Sequence, residues 1–181
     1  GCYVFEPGMS AECQEANQIF SQTTLIDSTR GSFTSNYPPV YYAIMSSLAS
    51  TDIPSSVIAI RLMNSLFFMG SLVALMVIAP RQLRKTYFWM WALTIVPLGI
   101  FLISSTNPSS WAITGVPTAW MALFLFFTLQ GKRSIAAGVL FFIEVFLVSG
   151  ARGDAAIYTI IGSVLIGFLT WKKTRTFFLK L

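Results

Sequence analysis

The chain has 181 residues, 55% of them apolar and only 10% charged, with a formal net charge of +5 and no histidine. A soluble domain carries roughly a quarter charged residues, so this composition belongs to a chain built for lipid. The missing histidine removes the commonest metal ligand and acid–base catalyst, which argues against a zinc enzyme or a serine–histidine hydrolase.

Residues 1–36 are mixed and polar. Pro7-Gly8 is a turn signal, "AECQEANQIF" is rich in helix formers, and "STRGSFTSN" reads as a loop. Cys2 and Cys13 lie in this segment. In an oxidising compartment they are expected to pair around "YVFEPGMSAE", two unpaired thiols being the alternative. Metal-type cysteine spacing is absent.

The step "YPPVYY" follows. Pro38 pushes Tyr37 out of the helical region, and Pro39 suits the first turn of a helix. "VYYAIMSSLAS" then reads as a helix of about eleven residues, too short to span a bilayer and placed at the interface, where tyrosine prefers to sit. An interfacial belt is the plain account of Tyr37, Tyr41 and Tyr42; a rim for an outer cavity is the functional one.

Five apolar runs of roughly span length follow: Val57–Ala79, Tyr87–Ser104, Trp111–Gln130, Ser134–Ser149 and Ala155–Trp171. The fourth is short for a span. Between them lie "PRQLRK", "STNPSS", "GKR" and "GARGD" as tight connections. Pro97 and Pro117 are expected to kink spans two and three. The expected fold is an all-α, polytopic transmembrane bundle of about five spans over 57–171, preceded by an extracytoplasmic segment over 1–56. A basic segment, 172–181, leads toward a further span.

Cytoplasmic loops hold the excess of lysine and arginine. With residues 1–56 outside, Arg81, Arg84, Lys85, Lys132, Arg133, Lys172, Lys173, Arg175 and Lys180 fall inside, leaving Arg30, Arg61 and Arg152 outside. Export of the first segment calls for an upstream signal or helix. The chain opens on "GCYVFEP" and closes on the apolar "TFFLKL", so it reads as an excerpt of a longer membrane protein. The topology also sets aside "PPVY" as a cytoplasmic recognition motif, and "RGD" at Arg152–Asp154 is a chance tripeptide in a tight loop.

Polar residues inside the apolar runs are expensive. Arg61 lies one turn inside the first span; it snorkels to the interface or faces the outer cavity to meet an anion. Asn64, three residues on, shares its helical side. Glu144, in "LFFIEVFLVSG", has no basic residue within a turn on its own helix, so it pairs with another helix or takes up a proton, with Arg61 a candidate partner by depth. Ser109 or Ser110 is placed to cap the third span, whose N-terminus could receive a phosphate oxygen. Arg61, Asn107, Arg152 and the proline step thus gather on one membrane face.

"YPPVYY" followed by "AIRLMNSL" resembles a pattern of polyprenyl-phosphate-sugar glycosyltransferases with the GT-C fold. "VPLGIFLISSTNPSSWAI", "CYVFEPGMSAEC" and "SGARGDAAIY" resemble an uncharacterised bacterial, actinobacterial-type membrane family, domain of unknown function 2142, over most of the chain. The resemblance implies an enzyme of cell-envelope glycan assembly in the bacterial plasma membrane, taking a sugar from a lipid-linked donor at the outer face. Arg61, Arg152 and Asn107 would hold its phosphate and Tyr37, Tyr41 and Tyr42 its sugar or lipid stem. Such folds take an acidic base or metal ligand from an outer loop after the first span, upstream of this stretch. Neither Glu6, Glu12 nor Glu15 matches that motif, Asp154 is left unassigned, and any divalent metal would be bound mainly elsewhere. The competing functions are a transporter or flippase of lipid-linked precursors and a non-catalytic assembly subunit. The expected partners are the bilayer and a polyprenyl-phosphate-linked sugar, not nucleic acid.

Overall fold

The structure is a computed structural model that describes Gly8 and residues 37–171. Cys2, Cys13, the three N-terminal glutamates and the basic segment after 171 lie outside the described residues. Within them the chain is all-helical: α1 (Pro39–Ser46), α2 (Ile53–Ile78), α3 (Arg81–Thr94), α4 (Pro97–Ile103), α5 (Ser109–Thr128), α6 (Lys132–Ala151) and α7 (Gly153–Leu169).

Proline opens several of these helices. Pro39 sits in the first turn of α1, behind Pro38 in an extended conformation, and Pro54 and Pro97 start α2 and α4 in the same way. Their missing N–H groups fall where a helix has no acceptor to offer. The turn before α2 is closed by hydroxyls: Ser55 donates to the Asp52 carboxylate, and the Ser50 amide donates to Ser56 Oγ at 2.8 Å. Gly131 supplies the positive φ of 64° that turns the chain from α5 into α6.

α2, α5 and α6 are each long and apolar enough to cross a membrane, and α3 with α4 makes a fourth span if that bent pair is counted as one. α7 is apolar but shorter, at 17 residues. The run 134–149, read as the short one, is part of a 20-residue helix. The run 87–104 departs most. It is two helices turned 101° from each other at Ile95-Val96, so Pro97 starts a new helix rather than kinking an old one. "PRQLRK" is likewise the first turn of α3 more than a loop, and Arg84 Nε donates to the Ala79 carbonyl at 3.1 Å, satisfying the end of α2. Pro117, by contrast, sits inside an unbroken α5, where the Thr118 hydroxyl donates to the Thr114 carbonyl at 2.7 Å in the turn the ring disturbs.

α5 is the axis of the bundle: eleven of its residues are buried, against four in the longer α2. Small residues let α6 approach it closely, with Gly115, Ala119 and Ala122 on one side and Ala137, Gly138 and Ala151 on the other. Toward the α3 side the core is Leu75, Tyr87, Trp91, Met121 and Leu125. At the other end Tyr41 and Met45 of α1 pack on Trp111 and Ala151, and Val40 lies where a side chain at Gly150 would be.

Candidate functional site

The polar residues gathered at the Arg152 end form two separate networks. The first is buried and structural. Asn64, fully enclosed, donates through Nδ2 to the Ser105 carbonyl at 2.6 Å and to Tyr41 Oη at 3.2 Å, and its Oδ1 accepts from Trp111 Nε1 at 2.9 Å. One amide thereby ties α1, α2, α5 and the loop after α4 together. Arg61 is exposed, and its Nε donates to the Ser104 carbonyl at 2.9 Å on the same loop. Tyr41 belongs to this network, packed edge-on against Trp111 with ring centroids 5.2 Å apart.

The second network is partly open. Arg152 is the only residue between α6 and α7, extended at φ −148° and ψ 131°. Its Nε and Nη2 donate to the two carboxylate oxygens of Asp154 at 2.9 and 2.8 Å, and Nη1 donates to Ser109 Oγ at 2.7 Å. The hydrogen bond from Arg152 holds the Asp154 carboxyl below its ordinary range, and the same bond holds the guanidinium above its own. The pair therefore stays charged through neutral pH. Tyr37 and Tyr42, exposed on α1 and its approach, lie within electrostatic reach of this guanidinium. Neither Ser109 nor Ser110 caps α5. Asn107 Oδ1 accepts from the Ser109 amide at 2.8 Å, while Ser110 Oγ turns inward to the Ile103 carbonyl at 2.7 Å.

A groove of about 870 Å³ runs from this second network down the bundle. Its floor is α5, from Ser109 to Phe124, about 22 Å at a rise of ~1.5 Å per residue. α3 and α4 form one flank and α7 the other, with Trp91, Leu98, Trp120 and Tyr158 among the walls. The 101° turn between α3 and α4 lies along this flank, with Ile95 and Val96 among the lining residues. Arg152 and Asp154 are its charged lining residues, both at one end. Arg61, Asn64 and the three tyrosines of the proline step do not line it.

Glu144 stands apart from both. It is 1% exposed in the interior of α6; Oε1 accepts from Ser71 Oγ of α2 at 2.6 Å, and Oε2 has no partner among the described residues. Arg61 is engaged elsewhere, so the expected Arg61–Glu144 pairing is replaced by Ser71. Gly115 makes room for the carboxyl, since a Cβ there would lie 2.9 Å from Oε2. Replacing both members of a buried, half-satisfied polar pair by apolar side chains is commonly neutral or stabilising. Glu144→Met combined with Ser71→Ala is therefore expected to unfold, in detergent, at or above the wild-type midpoint; a clear fall would make the Ser71–Glu144 bond structural.

Ser71 carries no sequence signal until a distant helix brings Glu144 to it, and Ser109, expected as a helix cap, instead accepts from Arg152. Trp120 could have been found with Gly162, because the indole occupies the space that a side chain at that glycine would take. Among the described residues no three acidic, cysteine or histidine side chains come together to hold a metal, so these residues do not fit the divalent ion that the GT-C resemblance implies.

No curated protein and no solved structure matches the chain. A family model described as "Predicted membrane protein (DUF2142)" matches residues 1–178. The match covers nearly the whole chain and agrees with its apolar helices of spanning length: the chain belongs to this family of membrane proteins.

Proposed function

We propose that the chain is the donor-lipid-binding part of a GT-C-like glycosyltransferase, taking a polyprenyl-phosphate-linked sugar at the outer face of a bacterial plasma membrane. The observation that carries the reading is the groove: an apolar trough about 22 Å long with a guanidinium at one end only. That is the shape of an amphiphile with one anionic head. The guanidinium has five N–H groups, and those that Asp154 and Ser109 leave free can donate to a phosphate oxygen in a charge-assisted bond. The excess of lysine and arginine at the opposite end supports an outer placement of the Arg152 end. Tyr37 and Tyr42, exposed and within electrostatic reach of Arg152, are the ring faces that this reading offers to a sugar. Tyr41 and Asn64 hold the scaffold, and Arg61 anchors the loop rather than the ligand. The acidic base that this reading requires belongs to residues outside those described.

In the full-length protein, Arg152→Ala is expected to lower transfer from a polyprenyl-phosphate sugar about 30-fold or more, the loss of a charge-assisted contact of ~2 kcal/mol. Arg61→Ala should cost far less. Wild-type turnover in Arg152→Ala overturns the reading.

A flippase of lipid-linked precursors is favoured by one feature, the buried and half-bonded Glu144. Purified protein in liposomes separates the two: lipid scrambling without any acceptor supports the flippase, and its absence alongside transfer supports the enzyme.

A further inference from the structure

The Arg152 fork is already occupied. Two of its nitrogens meet both Asp154 oxygens, the third meets Ser109, and the Ala155 amide donates to Asp154 Oδ1 at 3.0 Å, which fixes the carboxylate in place. The polar end of the groove thus presents one positive and one negative group side by side, with side-chain exposures of 33% and 51%. A site that only attracted anions would leave its arginine unopposed, since a like charge beside the ligand works against binding.

We propose that Asp154 makes the groove selective for lipids whose phosphate carries a hydrogen-bond-donating head, and against the same lipid ending in a bare phosphate. The inference rests on the lipid-linked donor reading and adds a discrimination to it. A phosphodiester carries a single negative charge, which Arg152 meets, and the hydroxyls beyond it donate to a carboxylate that accepts only. Asp154 Oδ2 keeps capacity for such a donor besides its bond from Arg152. A phosphate monoester carries about −1.5 to −2 charges at neutral pH and offers mainly acceptors, so it faces Asp154 as a like charge.

The chemistry gives this discrimination a direction. In transfer, an acceptor hydroxyl bonds to the anomeric carbon, and the bond from that carbon to the phosphate oxygen breaks. The oxygen leaves with the electron pair, and the hydroxyl proton is passed to the departing phosphate or to water. The donor is thus the diester that Asp154 favours, and the leaving lipid phosphate is the monoester that it opposes. Asp154 is in this sense a specificity residue that promotes release of the spent carrier.

The test uses the full-length protein in nanodiscs, titrated with a polyprenyl phosphate with and without one linked hexose, and with phosphatidylglycerol as a bilayer diester. Wild type is expected to prefer the hexose-linked lipid by about fivefold, the scale of one partly exposed charge contact. Asp154→Asn, matched in shape, should lose that preference by binding the bare phosphate more tightly, and product inhibition by it should rise in parallel. Arg152→Ala should weaken both lipids. An unchanged preference in a folded Asp154→Asn protein overturns the inference while leaving the donor reading intact. If neither polyprenyl lipid binds wild type, the donor reading falls and the inference with it. If phosphatidylglycerol binds as well as the hexose-linked lipid, with the same dependence on Asp154, the discrimination stands and the sugar-donor reading is overturned.

Discussion

Gly115→Val is expected to separate α5 from α6 and to cost about 2–3 kcal/mol, enough to lower the unfolding midpoint of the full-length protein clearly. The reason is local. A Cβ at Gly115 would collide with the Val148 side chain and come 2.9 Å from the Glu144 carboxylate. Val148 is fully buried in a cluster with Val116 and Ala155, and the buried Ala119 and Ala122 of α5 and Ala151 of α6 are small side chains on the same two helices. Helix association in lipid draws on this close contact, because hydrocarbon offers little hydrophobic drive between helices. Gly115→Ala should fall between valine and wild type. A valine variant that unfolds with wild type would mean that the two helices do not meet at this point.

Asn64→Leu carries the second large effect, about 2–4 kcal/mol. The side chains are close in volume, so the loss is almost wholly polar. It strips the acceptor from Trp111 Nε1 and the donor from the Ser105 carbonyl, and it leaves Tyr41 Oη without the bond it receives. Buried groups deprived of one partner bear the full cost of desolvation. The damage should be directional. Amide exchange is expected to quicken in residues 39–46 and in the loop at 104–108, while the Lys132 end of α6 stays protected. Uniform protection in a folded Asn64→Leu protein would show that the amide network is dispensable.

Helix content and the membrane class were legible because they are written in long, local runs: apolar stretches, and prolines whose fixed φ marks where a helix begins. Direction was less legible. Arg61 and Asn64 stand three apart and so lie near one another around α2, yet about 60° of rotation sends one to the surface and the other into the core. Tyr41 and Tyr42 differ likewise, by one residue and one face. Pro97 marked a break in the chain, but the angle of that break depends on how α3 packs through Tyr87 and Trp91 on α5, which lies beyond local sequence. At the groove's polar end, Arg152 was read for its position in the loop and does line the groove, whereas Ser109, read as a helix cap, instead accepts from Arg152 where α5 and the start of α7 meet.

The sharp turn between α3 and α4 has a kinetic consequence. The groove beside it is lined almost wholly by apolar side chains along α5, a surface that suits the hydrocarbon chain of a lipid rather than a solute arriving from water. On the lipid-donor reading, the ligand reaches it by two-dimensional travel within a leaflet. Saturation should accordingly follow the mole fraction of the amphiphile in the membrane, and diluting it with inert phospholipid at constant total concentration should slow occupancy as surely as removing it.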